Sequence, residues 1–159
     1  MKLRHLLLLF ISFFFVLPLY AEYFKHIGLS EGLTQPSVMA IYQDRLGRMW
    51  FGTKEGISQY DGNRVRKSVG EEPPVWLGNE VSFIVGDSLD NLYFLIDKNL
   101  IKYDIQTEKF SRLTNESIIT ALTSSEGQVW YMKHDSLFCL KADKEPTFVL
   151  KTNITSRIC

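Results

Sequence analysis

Short apolar runs alternate with polar turn segments along most of the chain. Val38 to Tyr42 is an apolar run with the length of a strand buried on both faces. Asp44 to Gly47 is turn chemistry, and the Asp61-Gly62 pair is a hairpin signal. Three further short strands are predicted in this unit, at 48–52, 57–60 and 64–67. Helical periodicity is absent after the first 21 residues, so the pattern predicts an all-β fold.

Two landmarks recur along the sequence with the same pair of spacings, 43 and 37 residues, which indicates a repeat. They are Trp50, Tyr93 and Trp130 for the first landmark and Tyr60, Tyr103 and Leu140 for the second. A period near ~40 residues, with several short strands in each unit, is typical of a β-propeller. The five aromatic side chains of this set are the predicted structural anchors of the repeat.

The repeat sets the expected domain boundaries. We expect four-stranded blades at about 37–67, 79–113 and 118–151, and the first strand of a fourth blade at 154–159. Residues 23–27 resemble the stretches that close the second and third units, so they are expected to form an outer blade strand. The chain thus reads as an incomplete ring over residues 22–159, from a protein whose repeats continue.

The first 21 residues have the layout of a secretory signal peptide. Lys2, Arg4 and His5 form a basic head, and the 16 residues from Leu6 to Ala21 carry no charged side chain. Leu19-Tyr20-Ala21 then places a small residue before the expected cut. That run is shorter than the ~20 residues of a spanning helix. We expect cleavage after Ala21 and export of the rest, the alternative being an uncleaved membrane anchor.

Charge and cysteine content exclude some classes of partner and scaffold. The whole chain has 18 basic and 18 acidic side chains, and removal of residues 1–21 leaves a slight acidic excess. Neither a nucleic-acid footprint nor a polybasic membrane patch is present, so no nucleic-acid partner is expected. Cys139 and Cys159 do not form a disulfide framework.

Few side chains are candidates for chemistry. The aromatic anchors suit stacking on a sugar ring, but their position in register favours packing between blades. Asp44 and Asp61 are candidate cation ligands, although both belong to turn motifs that use an aspartate cap. His26 and His134 lack partners at ligand spacing. No catalytic constellation is visible. The sequence predicts no catalytic, metal or cofactor-binding residue, and the ligand-binding residues cannot be assigned.

Four segments together resemble the two-component regulator propeller family. They are Gly28–Ser30, Val38–Asp44, Gly47–Thr53 and Gly56–Gly62. The second and third units depart from the motif, with Leu95-Ile96 where Gly-Thr is usual in the second. The family forms the periplasmic sensor region of hybrid two-component histidine kinases in Gram-negative bacteria. The resemblance implies an N-terminal fragment whose parent is anchored in the inner membrane, is homodimeric and takes part in a phosphorelay.

Three functions follow from these observations. The first is a periplasmic ligand-sensing module of a two-component protein, responsive to carbohydrate through an oligosaccharide ligand and truncated before the membrane span and kinase. The alternative is a free-standing envelope propeller that serves as an interaction domain. The third is an enzyme, since some propellers are lyases or glycosidases; the missing catalytic constellation argues against it, and no cofactor is expected.

Overall fold

The computed structural model describes residues 24–67, 77–114, 120–123, 126–141 and 144–151. The predicted signal peptide (1–21) and the predicted start of a fourth blade (154–159) lie outside these residues. The described residues form three four-stranded sheets with neighbouring strands antiparallel and in sequence order. This confirms the predicted all-β fold with three four-stranded propeller blades in an open arc.

Each sheet is one blade, numbered in chain order. Blade 1 contains β1 (Val38–Gln43), β2 (Met49–Thr53), β3 (Gly56–Tyr60) and β4 (Val65–Arg66). Blade 2 contains β5 (Val81–Gly86), β6 (Asn91–Ile96), β7 (Asn99–Asp104) and β8 (Lys109–Arg112). Blade 3 contains β9 (Thr120–Thr123), β10 (Val129–Lys133), β11 (Ser136–Leu140) and β12 (Thr147–Lys151). Strands β1 and β2 contact β5, and β5 and β6 contact β9, so successive blades pack through their first strands.

Side chains alternate between the two surfaces of each blade, and both surfaces can be defined by residues. The forward face points to the next blade and carries Trp50 and Ile57 in blade 1 and Tyr93 and Leu100 in blade 2. The rear face points to the previous blade. Its members in blade 2 pack in the cluster around Trp50, and they are Ile84, Leu92, Phe94, Ile96, Ile101 and Tyr103. The 43-residue offset therefore places chemically equivalent groups at equivalent interfaces.

Trp50 is the centre of the contact between blades 1 and 2. Its side chain is fully buried. The centroid of its ring lies 5.4 Å from that of Tyr103, edge to face, and 5.9 Å from that of Phe94. Phe110 extends the group, with its centroid 4.7 Å from that of Tyr103. Burial raises the pKa of Tyr103 to about 12, as expected for a phenol in an apolar interface.

Gly52 lets the backbone of β2 approach the next blade closely. A Cβ at this position would lie 2.6 Å from Cγ1 of Val81 and 3.0 Å from its carbonyl oxygen. The glycine of the Trp-Phe-Gly-Thr segment is therefore required by packing between blades. The equivalent residue in blade 2 is Leu95, whose buried side chain belongs to the core shared by blades 2 and 3. The second repeat lacks Gly-Thr because a leucine side chain fills this part of the interface between blades 2 and 3.

A buried carboxylate ties the first turn of blade 1 to Trp50. Oδ1 of Asp44 accepts hydrogen bonds from the backbone N–H groups of Leu46 and Arg48, both at 3.0 Å. Oδ2 accepts from Nε of Arg48 at 2.6 Å and from Nε1 of Trp50 at 2.9 Å. Gly47 completes the turn with a φ of 78°, in the region that favours glycine. One side chain therefore fixes both the turn and the orientation of the buried ring.

Asp87 repeats this arrangement in blade 2. Its Oδ1 accepts from the backbone N–H groups of Leu89 and Asn91, at 2.8 and 3.0 Å. Its Oδ2 accepts from Nδ2 of Asn91 and from the hydroxyl of Tyr93, both at 2.9 Å. Tryptophan and tyrosine thus present different donors to the same carboxylate position. In the third repeat the sequence has Ser124 at this position.

The segment Gly28–Thr34, called the N-terminal segment here, covers part of the rear face of blade 1. Oγ1 of Thr34 lies 2.8 Å from Oγ1 of Thr53 and 3.2 Å from Oγ of Ser58, and its backbone N–H donates to Ser58 at 3.1 Å. Leu33 in this segment is buried. Residues 24–27, for which the sequence predicts an outer strand, form no strand in this structure. The chain before β1 is therefore held by side-chain contacts with the rear face of blade 1.

Replacing Trp50 with alanine should destabilise the protein more than replacing Trp130. Trp50→Ala removes a fully buried ring and is expected to lower the free energy of unfolding by about 3–5 kcal/mol. Trp130 holds the equivalent position in blade 3 but is only half-buried, so Trp130→Ala should cost less. Urea unfolding of the full chain at low micromolar concentration measures both values. Equal losses would contradict the assignment of Trp50 to an inter-blade core.

Removing the carboxylate of Asp44 should also be costly. Asp44→Ala leaves the buried indole N–H of Trp50 without its acceptor, a loss of about 1–3 kcal/mol. The matched control is Asp61→Ala, because Asp61 caps an exposed turn where water replaces the lost bonds. Denaturant unfolding of the two variants, side by side, should show the larger loss for Asp44→Ala. Equal stability of the two variants would exclude a special role for the buried carboxylate.

Candidate functional site

The aromatic anchors occupy two kinds of environment. Trp50, Tyr93 and Tyr103 are buried between blades, so their ring faces are not available to a ligand. Tyr60 and Trp130 are half-buried. Tyr60 occupies in blade 1 the position that Tyr103 occupies in blade 2, and Trp130 occupies in blade 3 the position of Trp50. The less buried anchors are therefore those on the rear face of blade 1 and the forward face of blade 3.

Tyr60 is engaged with the chain that precedes the blades. Its hydroxyl accepts a hydrogen bond from Nζ of Lys25 at 2.9 Å and donates to the carbonyl oxygen of Gly62 at 2.5 Å. The same ammonium lies 4.9 Å from the centroid of the ring, within the range of a cation–π contact. Both the hydroxyl and one side of the ring are thus occupied by groups of the protein itself.

The two candidate cation ligands are committed to turns. The four donors around Asp44 occupy both of its oxygens. Oδ1 of Asp61 accepts from the backbone N–H groups of Asn63 and Arg64 at 2.9 Å. The bond from the Arg64 N–H, with that from Asn63, lowers the pKa of Asp61 below its usual value. Within the described ranges, no three His, Cys, Asp or Glu side chains are grouped so as to hold a metal ion.

The β1–β2 and β5–β6 turns form an exposed surface that the sequence analysis did not identify. We call residues 44–47 and 87–90 together the turn surface. Leu46 and Leu89 occupy the same turn position and are 73% and 52% exposed. Nε of Arg45 lies 3.1 Å from Oδ1 of Asp90, so an ion pair joins the two turns. The shared 43-residue offset of Asp44 and Asp87 was the available signal for this pairing.

The turn surface presents two exposed leucines beside an ion pair. Each leucine is presented by a turn whose backbone N–H groups are bound to a buried carboxylate, which fixes its position. Apolar side chains beside an exposed ion pair are compatible with the binding of a partner or ligand. In the part of the chain that the structure describes, no helix is long and apolar enough to cross a membrane.

Comparison with known proteins agrees with the blade 1 motif. Residues 32–55 match the family model described as two component regulator propeller. A histidine kinase of Formosa agariphila is 42% identical over 40 residues, which are 25% of this chain and 3% of that protein. The chain therefore spans a small fraction of the length of the curated relative that it matches.

Solved structures agree on the fold. The extracellular domain of a protein described as a hybrid two component system from B. thetaiotaomicron matches with a TM-score of 0.64 and 22% identity, over 82% of this chain and 20% of that one. A virginiamycin B lyase from Staphylococcus aureus, an inactive variant with quinupristin, matches with a TM-score of 0.53 and 11% identity, over 70% of this chain and 40% of that one. At these identities the likeness shows the fold alone. The match of residues 32–55 confirms the sequence resemblance: the chain carries a propeller repeat of the two-component regulator family in its first blade.

Proposed function

We propose that this chain is the ligand-sensing propeller module of a two-component signal-transduction protein. The observation that carries the proposal is the family match at residues 32–55. That stretch contains the Asp44 turn, the buried Trp50 and the close-packed Gly52, so the matched residues are those that build the first inter-blade contact. The matched residues therefore include the first two strands of blade 1 and the turn between them.

Two comparisons support a signalling role over other uses of the fold. The curated relative is a histidine kinase, and the B. thetaiotaomicron neighbour is an extracellular domain of a hybrid two component system. In this proposal the kinase lies in a part of the parent protein that is outside these 159 residues. The lyase neighbour has the same fold at 11% identity, and we propose no catalytic step for this chain.

The proposed location is the periplasm of a Gram-negative bacterium. The leader-like layout of residues 1–21 supports export, and the neighbour described as an extracellular domain is consistent with it. The parent protein would be held in the inner membrane, with this module outside the cytoplasm. The module would then meet ligands that have crossed the outer membrane.

The proposed ligand class is an oligosaccharide, which follows from the family resemblance. In this proposal the turn surface, with exposed Leu46 and Leu89 and the Arg45–Asp90 ion pair, is a candidate contact surface. Apolar side chains can pack against sugar rings, and a charged pair can bond to hydroxyl groups. We assign no individual residue to ligand binding.

Export should remove the leader. When the full chain is expressed in a Gram-negative host, mass spectrometry of the envelope fraction should give Glu22 as the first residue, because Leu19-Tyr20-Ala21 places a small residue before the cut. A membrane-bound product that retains Met1 would contradict cleavage and favour an uncleaved anchor.

Loss of the gene should remove one transcriptional response. In the bacterium that encodes this chain, a deletion strain and a complemented strain should be compared on a panel of neutral and acidic oligosaccharides, with glucose as the control. We expect the deletion to abolish induction of one carbohydrate-use gene cluster and to leave growth on glucose unchanged. Unchanged transcription on every sugar, with loss of an envelope protein complex, would contradict sensing and support an interaction domain.

A further inference from the structure

The ion pair of the turn surface has no counterpart between blades 2 and 3. The positions equivalent to Arg45 and Asp90 are there held by Ser88 and Gly127. These two turns touch directly, because the backbone N–H of Ser88 donates to the carbonyl oxygen of Gly127 at 3.4 Å. The turns of blades 1 and 2 are joined instead by the side chains of Arg45 and Asp90, which are 60% and 43% exposed. This pair of charges is therefore presented to solvent at one place in the arc.

Asp90 occupies a backbone position that favours glycine. Its φ is 65°, and the same position in blades 1 and 3 is held by Gly47 and Gly127, with φ of 78° and 70°. A residue with a side chain adopts this left-handed conformation less readily than glycine does. An exposed ion pair contributes little to stability, because water and salt screen it. The carboxylate of Asp90 is thus held in a less favourable conformation for little gain in stability, which points to a role in a contact.

The turn surface is formed at the ends of strands, away from the faces through which blades pack. It connects β1 to β2 and β5 to β6, whereas successive blades contact each other along their strands. Leu89 shows the consequence, because it is 52% exposed although blade 2 has a blade on each side. Leu46 occupies the same turn position in blade 1. The exposure of both leucines is therefore compatible with further blades at either end of the arc.

The two halves of the turn surface carry complementary groups. One turn presents Arg45 and Leu46, and the other presents Leu89 and Asp90. Nε of Arg45 is bonded to Oδ1 of Asp90, and within the described ranges neither side chain makes another hydrogen bond or ion pair. The guanidinium thus retains donors, and the carboxylate retains an acceptor oxygen. A well-matched partner supplies a cation, an anion and apolar side chains beside them, which is what this surface itself contains.

We propose that the turn surface binds the turn surface of a second copy of this chain, about a two-fold axis that runs between the two turns. Such an axis places Arg45 of one copy opposite Asp90 of the other, and Leu46 opposite Leu89, so each contact occurs twice. The four charges then alternate in sign and the leucines leave water. A surface of this size gives a weak dimer. This contact does not depend on the sensing function, and an oligosaccharide bound to the turn surface would compete with the second copy.

The test measures the mass of the full chain in solution at increasing concentration, by sedimentation velocity. We expect the average mass to rise towards that of a dimer and not beyond it. Arg45→Asp and Asp90→Arg each place like charges opposite each other twice, and each should raise the dissociation constant of the dimer at least about tenfold. Leu46→Glu should do the same through the apolar contact, and it replaces either variant that circular dichroism shows to be unfolded.

Lys151→Asp is the matched control. Lys151 is 67% exposed, close to the value of Arg45, and it pairs with Asp135 at the β10–β11 turn. That turn lies at the opposite ends of the strands from the turn surface. Lys151→Asp makes the same change in net charge as Arg45→Asp and should dimerise as the wild-type chain does.

A mixing experiment separates the two-fold contact from other kinds of association. In a mixed pair of Arg45→Asp and Asp90→Arg chains, one copy carries acids at both positions and the other carries bases, so both contacts again join opposite charges. Native mass spectrometry should show the mixed dimer and little of either homodimer, because the two variants differ in mass. Three results would overturn the proposal: a wild-type chain that stays monomeric, a mixture that forms no mixed dimer, or a Lys151→Asp chain that loses association as Arg45→Asp does.

Discussion

Packing of an aromatic ring from one blade against the rear face of the next is the contact on which the arc depends. A sheet of four short strands buries little by itself, so blades of this kind are stabilised by their neighbours. Trp50 achieves this between blades 1 and 2, where the rings of Phe94 and Tyr103 surround it. Tyr93 achieves it between blades 2 and 3, in a cluster with Val129 and Tyr131. The stability of each blade is therefore inseparable from that of the next.

The buried carboxylates explain why the turn and the ring recur as one unit. A carboxylate held away from water needs several donors, and Asp44 and Asp87 each receive four hydrogen bonds. Two of these come from turn backbone and one from the aromatic side chain six residues later. The spacing of six residues follows from the strand geometry. The strand after the turn runs back alongside the strand before it, and this brings the aromatic side chain next to the carboxylate. Tryptophan and tyrosine can both supply this hydrogen bond to the carboxylate, since each has a donor at its polar end.

Sequence periodicity predicted the blades because inter-blade packing repeats with the chain. The spacing of Trp50 and Tyr93 located two buried rings, and the family match at residues 32–55 confirmed the resemblance in the segments Val38–Asp44 and Gly47–Thr53. The outer strand expected at residues 23–27 was not found over the described residues 24–27, because apolar alternation does not reveal whether a pairing edge is available. The leader, the blade boundaries and the ligand class stay predictions. The turn surface was missed because exposure of Leu46 and Leu89 is a tertiary property.

The rear face of blade 1 differs from that of blade 2 at two positions that contact the N-terminal segment. Blade 2 presents Ile96 and Ile101 where blade 1 presents Thr53 and Ser58, and buried hydroxyls are tolerated only with partners. Thr34 supplies those partners with its hydroxyl and its backbone N–H. A blade that covered this part of the face would displace Thr34 and remove the two bonds that Thr34 makes with Ser58, whereas Thr53 would keep its bonds with Gly56 and Glu55. Two small polar side chains therefore bind the N-terminal segment to this face, and they distinguish it from the apolar rear face of blade 2.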